Sequence, residues 1–188
     1  MKKVISLILA VLVIFAMFTA CEKVENNYVS TSSKPPVALK NLASVGKIPE
    51  MQFGIGANVD EVLAFYNSAF ESDPNAHEVI SYEVRNYTKI EIGAYAYYYE
   101  TENKEGGIVG VTAVGDKAFG FNMNLTTSED LKASLPSDAV ETIVTGDDVF
   151  FLYGVDPEMA KKIYITAGDY ELKLILFNGS LSAVSLFK

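Results

Sequence analysis

The first apolar segment of the chain is a nearly continuous run, residues 4–18, that follows the basic start 1–3. Small residues at 19–20 then precede Cys21. A basic start, a short apolar run and small residues before a cleavage position are typical of a secretory signal peptide. The run has about 15 residues, fewer than the ~20 that a membrane-spanning helix needs. We therefore predict that residues 1–20 are a signal peptide, cleaved before Cys21.

The next segment, residues 22–50, has no sustained hydrophobic period. It is rich in Ser, Thr and Asn and contains Pro35-Pro36, a composition typical of linkers. A flexible chain of about 29 residues has an end-to-end distance of about 30 Å. We expect residues 21–50 to form a tether and residues 51–188 to form a globular domain, which is long enough to bury one core.

Helical periodicity begins after residue 51. Asn58 is a good N-cap residue, and Glu61 three positions later completes a capping-box pattern. Apolar residues then follow one helical stripe, and Asp73-Pro74 ends the predicted helix. The chain beyond it alternates as strands do. The predicted strands are 79–84, 88–92, 94–101 and 108–114.

The second half of the domain has the same order of elements. Thr127 or Ser128 caps a short helix that Pro136 ends, and Asp156-Pro157 indicates another short helix over 156–162. The pair Asn178-Gly179 between two alternating segments predicts a β-hairpin. The predicted strands are 140–145, 149–153, 170–177 and 181–187.

The two halves align with each other in three places. The aligned segments are 53–66 with 121–135, 90–99 with 143–152, and 106–114 with 179–187. The second pair places Gly93 opposite Gly146. We therefore predict an α+β fold of two tandem helix-plus-antiparallel-sheet repeats, about 51–118 and 119–188, with the helices on one sheet face.

Two motifs carry resemblances to known bacterial groups. Phe18-Thr19-Ala20-Cys21 resembles the lipobox, which implies a diacylglyceryl thioether on the Cys21 sulfur, although Phe18 stands where Leu is usual. Phe53-Gly54-Ile55-Gly56 and Asp60-Glu61-Val62 resemble the opening of the repeat in the β-lactamase-inhibitor-protein-like family and the related small outer-membrane assembly lipoproteins. That family's frequent Thr and Gly-x-Pro are absent. The second resemblance implies a protein-binding or scaffolding role, but it assigns no individual binding residue.

Charge and cysteine usage agree with an exported, lipid-anchored protein. The chain has a single cysteine, which cannot form an internal disulfide, and lipidation would remove a free thiol from an oxidising compartment. An ordinary buried or unprocessed cysteine is the alternative. Without Lys2 and Lys3 the side chains give 13 − 24 = −11, against −9 for the whole chain. This acidity disfavours a nucleic-acid surface and an electrostatic contact with anionic lipid.

The residues that carry catalytic chemistry are scarce. His77 is the single histidine, so neither a zinc site nor a nucleophile–base pair can be assembled. Gly54-x-Gly56 is either a phosphate-binding turn or a simple turn into the helix. The acidic runs 100–105 and 146–148 lack the spacing of a calcium loop, which leaves hairpin turns or a weak cation site. We predict no enzyme, no cofactor and no metal site.

A tyrosine-rich strand, 94–99, offers the candidate binding surface. Alternate side chains of a strand point to opposite faces, so one face carries three tyrosines and the other carries Ala94, Ala96 and Tyr98. Small alanines suit the face beneath a helix, which would leave the tyrosine face as an exposed platform. Cross-strand aromatic packing is the alternative. The candidate residues are Tyr95, Tyr97, Tyr99 and, at the aligned place in the second half, Phe150.

Together these patterns predict a non-enzymatic lipoprotein on the extracytoplasmic face of a cell membrane, anchored by lipid on Cys21. Its aromatic sheet face would bind or scaffold an envelope or exported protein. The alternative function is that of a small lipoprotein that binds or senses a solute or glycan between its two units. No nucleic-acid partner is expected.

Overall fold

An antiparallel sheet of eight strands forms the centre of the fold, in the order β1-β2-β3-β4-β10-β9-β8-β7, while β5 and β6 form a separate small hairpin. The computed structural model describes residues 39–73, 75–144 and 160–188, all within the unit Pro35–Lys188. The strands are β1 Val79–Val84, β2 Tyr87–Ile92, β3 Tyr95–Glu100, β4 Gly110–Val114, β5 Lys117–Ala118, β6 Phe121–Asn122, β7 Val140–Ile143, β8 Ala160–Ala167, β9 Tyr170–Phe177 and β10 Ser180–Phe187.

Several predictions of the sequence analysis concern residues outside the described part of the chain. The signal peptide 1–20, the lipidation site Cys21, Gly146 and Phe150 lie outside the described residues, so what rests on them stays a prediction. Within the described part of the chain, none of the helices has the length and apolar character that crossing a bilayer requires.

Two of the described helices begin where their capping residues predict. The described ones are α1 Leu39–Ala43, α2 Val59–Ser72, α3 Ser128–Lys132 and a 3₁₀ turn, Lys104–Gly106. Asn58 Oδ1 accepts hydrogen bonds from two backbone N–H groups of the first turn of α2. Thr127, not Ser128, caps α3, in a reciprocal capping box with Asp130. Local side-chain chemistry therefore fixes both helix starts.

The buried side chains of the three α-helices join one core cluster with a single face of the sheet. Leu39 of α1, Val62 of α2 and Leu131 of α3 are buried in it together with strand residues of both halves, among them Tyr97 and Leu174. These helices therefore lie on one side of the sheet, and the described chain is an α+β fold with a large antiparallel sheet. We call this side of the sheet the helix face and the opposite side the outer face.

Each half of the sheet is a four-stranded meander preceded by a helix. α2 precedes β1–β4, α3 precedes β7–β10, and the last strands of the two meanders, β4 and β10, pair at the centre. Of the aligned middle segments, 90–99 and 143–152, the second lies mostly outside the described residues, so their correspondence stays a prediction. Gly93 lies in the β2–β3 turn, and the β8–β9 turn at the same place in the second meander contains Gly168, which shares its positive φ.

Strand β8 replaces part of a predicted helix. Residues 160–162 were assigned to a helix over 156–162, yet they begin a strand that pairs with β9 from Ala160 to Ala167. Buried Ile163 and Ile165 alternate with more exposed neighbours, the period of a strand. Eight paired positions along β9 stabilise residues 160–167 as a strand, while the predicted helix start at Asp156-Pro157 lies outside the described residues.

The globular part begins earlier than residue 51. Leu39, Ala43 and Ile48 had been assigned to the tether, but they are fully buried in the core. The Ile55 N–H donates to the Gly46 carbonyl at 2.7 Å, which ties this segment to the entry of α2. The five residues of α1 are too few to show a helical period in the sequence, and for this reason the segment resembled a linker.

Candidate functional site

The predicted tyrosine platform is packed against the helices instead of being exposed. Tyr97 is 0% exposed, and its ring packs against those of Phe53 and Tyr66. Tyr95 and Tyr99 are partly buried against the same core cluster. Large aromatic rings fill the space between α2 and the sheet, whereas the alanines of the other face would leave a cavity there. The tyrosine face therefore packs against the helices.

The phenol groups on the helix face are paired with other groups of the protein. The hydroxyls of Tyr66 and Tyr97 lie 2.8 Å apart, and the Phe53 N–H donates to the Tyr97 hydroxyl at 3.4 Å. Burial, together with the bond to Tyr66, raises the pKa of Tyr97. Burial also raises the pKa of Tyr95 to about 12, with a contribution from Asp116, whose Oδ2 accepts from the Tyr95 hydroxyl at 3.2 Å. These groups stabilise the fold.

The outer face carries the alternate residues of the same strands. Strand register places Glu91, Ala96, Thr112 and Ser185 side by side across β2, β3, β4 and β10. Among the described helices, none contributes a buried side chain to this side of the sheet. The two hydroxyls at the centre, on Thr112 and Ser185, lie 3.1 Å apart and are buried. The outer face is therefore the candidate ligand-binding side of the sheet.

One end of the outer face is filled by the protein's own aromatic rings. Phe187 lies over Gly110, so closely that a Cβ at position 110 would stand 2.2 Å from the ring. Tyr98 packs beside Phe187 with ring centroids 5.2 Å apart, and Tyr87 packs on the other side at 6.2 Å. Burial raises the pKa of Tyr98 to about 12, although Lys89 and a bond to Thr112 act in the opposite direction.

At the other end, near the β2–β3 turn, the outer face forms a depression of about 510 Å³. Small residues form much of its floor, and two exposed apolar side chains, Ile80 and Val114, flank it. The depression exists because Ala94, in the turn, and Ala96, in β3, leave space there that the rings of Tyr98 and Phe187 occupy further along. The small lining residues are Gly93, Ala94, Ala96, Ser182 and Ala183, and the larger ones include Tyr82, Lys89, Glu91, Tyr95 and Tyr98.

A charged cluster stands in the wall of the depression. Lys89 Nζ lies 2.8 Å from Glu91 Oε2, and the Tyr82 hydroxyl donates to the same oxygen at 2.7 Å. Lys89 is only 8% exposed, and its ammonium group lies 5.4 Å from the centroid of the Tyr82 ring. Partial burial raises the pKa of Glu91, but the bonds from Lys89 and Tyr82 and the charge of Lys89 outweigh it, and the pKa is lowered overall. The cluster is neutral as a whole.

The Gly-x-Gly motif has a structural role, while the acidic run 146–148 lies outside the described residues. A Cβ on Gly54 would stand 2.8 Å from the Gly46 carbonyl, and the Gly56 N–H donates to the Ile108 carbonyl. The Gly-x-Gly motif thus permits close backbone packing before α2. His77 is exposed, with its ring against Gly93. In residues 39–73, 75–144 and 160–188, no group of three acidic, His or Cys side chains is placed to hold a metal ion.

The cluster of Tyr82, Lys89 and Glu91 was missed in the sequence, although a signal for it was present. Two strands joined by the two-residue turn Arg85-Asn86 place these three side chains on one face. A lysine that alternates with buried Thr88 and Ile90 in such a hairpin points to the side away from the main core. The sequence pattern instead predicted a binding surface on the tyrosine face of the neighbouring strand β3, and this face packs against the core.

Comparison with known proteins identifies a distant structural likeness. No protein-family model matches the chain, and no curated protein matches it either. The crystal structure of a DUF4309 family protein, YjgB, from Bacillus subtilis subsp. subtilis str. 168 is similar with 16% sequence identity and a TM-score of 0.45. The match covers 79% of this chain and 92% of that chain. A likeness at this level carries no argument about function.

Proposed function

We propose that this protein is a non-enzymatic, lipid-anchored binding module that uses the outer face of its sheet on the extracytoplasmic side of a cell membrane. The observation that carries the proposal is the depression of about 510 Å³ on that face, with its neutral Tyr82–Lys89–Glu91 cluster. A concave site with a few converging polar groups among apolar ones is the usual form of a binding site. The binding face proposed here is the outer face, on the side of the sheet opposite buried Tyr97.

Two kinds of occupant are considered for this site. The first is a segment of an envelope or exported protein, for which the exposed side chains of Ile80 and Val114 offer apolar contact. The second is a small solute or glycan, and the concave shape of the depression favours it. A protein interface of standard size needs about 800 Å² on each partner, an area that extends well beyond the depression.

The twofold organisation of the sheet supports a further part of the proposal, namely that the two halves are tandem repeats. Each half is a helix followed by four antiparallel strands, and β4 and β10 hold equivalent places at the centre. Under this proposal the equivalent turns are those at Gly93 and Gly168. Duplication would give the outer face two related halves.

Mutation of the two flanking apolar residues tests the binding surface. We expect Ile80→Asp combined with Val114→Asp to abolish binding, because both side chains are about half exposed, 50% and 45%, and the variant should therefore stay folded. A ligand at about 100 times its Kd adds about 2.7 kcal/mol to the free energy of unfolding. This is a shift of several degrees in Tm. The measurement is a thermal-shift screen of full-length protein with solutes and glycans, alongside crosslinking in the native envelope.

Ile143→Asp is the matched control for that experiment. Ile143 is 74% exposed, lies on the opposite edge strand β7 and alternates away from the outer face. Binding should persist in this variant. If the double variant binds every ligand as well as the native protein does, the outer face is not the binding surface.

The anchor is tested separately at Cys21. We expect mass spectrometry of the mature native protein to find residue 21 as its first residue, with lipid on the sulfur. Cys21→Ser should move the protein from the membrane fraction to the soluble fraction, because two or three acyl chains hold firmly where none can. A mature protein that begins at another residue with a bare thiol would contradict the assignment.

A further inference from the structure

We infer that the depression on the outer face takes a neutral, hydroxyl-rich chain, that is, an uncharged glycan. The inference rests on the proposed function, since it names the occupant of the same surface. Three observations support it: the balance of charge in the Tyr82–Lys89–Glu91 cluster, the shape of the floor, and a second cluster of the same composition across the sheet.

The charges in the depression already satisfy each other. Glu91 Oε2 forms an ion pair with Lys89 Nζ, 2.8 Å away, and accepts a hydrogen bond from the Tyr82 hydroxyl at 2.7 Å. An anionic ligand would compete with Glu91 for Lys89, and a cationic ligand would compete with Lys89 for Glu91. Either ligand would disturb the Lys89–Glu91 ion pair, whose lysine is mostly buried. Breaking such a pair is unfavourable unless the ligand fully replaces the partner that is displaced. A neutral ligand leaves the pair intact.

A hydroxyl group suits such a cluster better than a charged group does. It donates one hydrogen bond and accepts others, whereas an ionised carboxylate only accepts and an ammonium only donates. A carboxylate has about four acceptor sites on two oxygens, so Glu91 can take a further donor on its side facing solvent. A ligand hydroxyl can therefore join the cluster without displacing Lys89 or Tyr82.

The floor of the depression fits the other side of a sugar ring. Gly93, Ala94 and Ala96 line the depression with small side chains, and Tyr82 also lines it. A pyranose has hydroxyls around its rim and C–H groups on its faces, so a ring lying on this floor places apolar atoms down and hydroxyls towards Glu91. The volume of about 510 Å³ lies within the range of small-ligand sites.

A second cluster on the outer face indicates that the ligand is a chain and not a single sugar. In the β8–β9 hairpin, Tyr164 pairs in register with Lys173, as Tyr82 does with Lys89 in the β1–β2 hairpin. The Tyr164 hydroxyl donates to Glu171 at 2.5 Å. This bond raises the pKa of Tyr164. Each half of the sheet thus carries a Tyr–Glu–Lys set.

Between the two clusters the outer face carries a row of small and hydroxyl-bearing residues, of which Thr112 is 1% exposed and Ser185 is 0% exposed. Strands β2 and β9 are four strand spacings apart, which is roughly 19 Å. The row that connects them in register is Glu91, Ala96, Thr112, Ser185 and Lys173. A glycan chain that reaches both clusters would have to pass over the groups that bury Thr112 and Ser185, and would contact the two clusters and not the hydroxyls between them.

The experiment measures binding of full-length protein, in detergent micelles, to uncharged linear oligosaccharides from disaccharide to hexasaccharide, with uronic-acid oligomers as the charged series. We expect the neutral chains to bind more tightly than the charged ones, and the longer neutral chains to bind more tightly than the shorter ones. Glu91→Gln should weaken binding about tenfold, the effect typical of a lost charged hydrogen bond. Glu171→Gln should abolish the increase in affinity with oligosaccharide length and leave the affinity for the disaccharide unchanged.

The control variant is Glu83→Gln, a change of the same kind on exposed β1 that alternates away from the outer face. Thermal melts show whether each variant is folded. The inference is overturned if no neutral oligosaccharide binds, if the uronic-acid series binds better, or if folded Glu91→Gln binds normally. Should a polypeptide from the envelope crosslink to the outer face instead, in a manner lost with Ile80→Asp and Val114→Asp, the glycan inference fails while the proposed function stands.

Discussion

Serine in place of Tyr97 is expected to destabilise the domain by about 3–5 kcal/mol, the usual cost of removing a buried aromatic ring. A typical domain has a free energy of unfolding of 5–15 kcal/mol, so this loss is enough to unfold a large fraction of the protein. Tyr97 is 0% exposed and packs against Phe53 and Tyr66, with ring centroids 6.3 and 5.9 Å away. The measurement is urea denaturation followed by circular dichroism.

A phenylalanine variant separates the ring from the hydroxyl. Tyr97→Phe keeps the ring contacts and loses the bond to the Tyr66 hydroxyl, which has a length of 2.8 Å, so we expect a loss of about 1 kcal/mol. Tyr164→Ser on the outer face is the control, since its ring is only partly buried. Equal midpoints for the native protein and Tyr97→Ser would show that the ring lies outside the core, as the sequence pattern first indicated.

The elements that the sequence predicts well are those that depend on near neighbours. Asn58 caps α2 through its own side chain, within three residues of the groups it binds. Asn178 and Gly179 both adopt positive φ, 50° and 81°, between β9 and β10, as an Asn-Gly hairpin requires. Such features need no knowledge of the rest of the fold, so a single sequence is sufficient to find them.

The choice of sheet face could not be predicted in the same way. Alternation separates Tyr97 from Ala96, but it does not say which of the two faces lies beneath a helix. That choice depends on how much volume remains between α2 and the sheet, which is set by contacts such as Phe53 with Tyr97 across 44 residues. The result reverses the prediction. The tyrosine face is core, and the alanine face holds the depression.

One part of the candidate site is formed by residues close together in the sequence, and the other part by residues far apart in it. Tyr82, Lys89 and Glu91 come together through one hairpin, and a careful reading of its alternation finds them. The continuation of the site across the sheet requires β4 to pair with β10, which brings Thr112 next to Ser185, 73 residues away. No pattern in the sequence fixes this pairing, because either edge of the first meander could have joined the second.

Alanine in place of Ile48 is expected to destabilise the domain by about 2–5 kcal/mol. The sequence pattern places this residue in a tether, where the same change would have no effect. Ile48 is fully buried in the core cluster, together with Leu39 of α1 and Met51. The cavity left by the shorter side chain faces helix and strand residues that cannot all move to fill it, so the loss includes more than the transfer of methyl groups. Thermal and urea unfolding of the full-length protein measure it.

Val45→Ala provides the matched control, because Val45 belongs to the same segment and is 74% exposed. A substitution at such a surface position usually changes the free energy of unfolding by less than about 0.5 kcal/mol. The contrast between the two variants therefore tests whether residues 39–50 are part of the folded domain. If Ile48→Ala is as stable as Val45→Ala, the segment is a tether after all and the domain begins at Met51. If Ile48→Ala alone loses stability, the folded domain includes Ile48, and a version of the protein that begins at Met51 lacks part of the core.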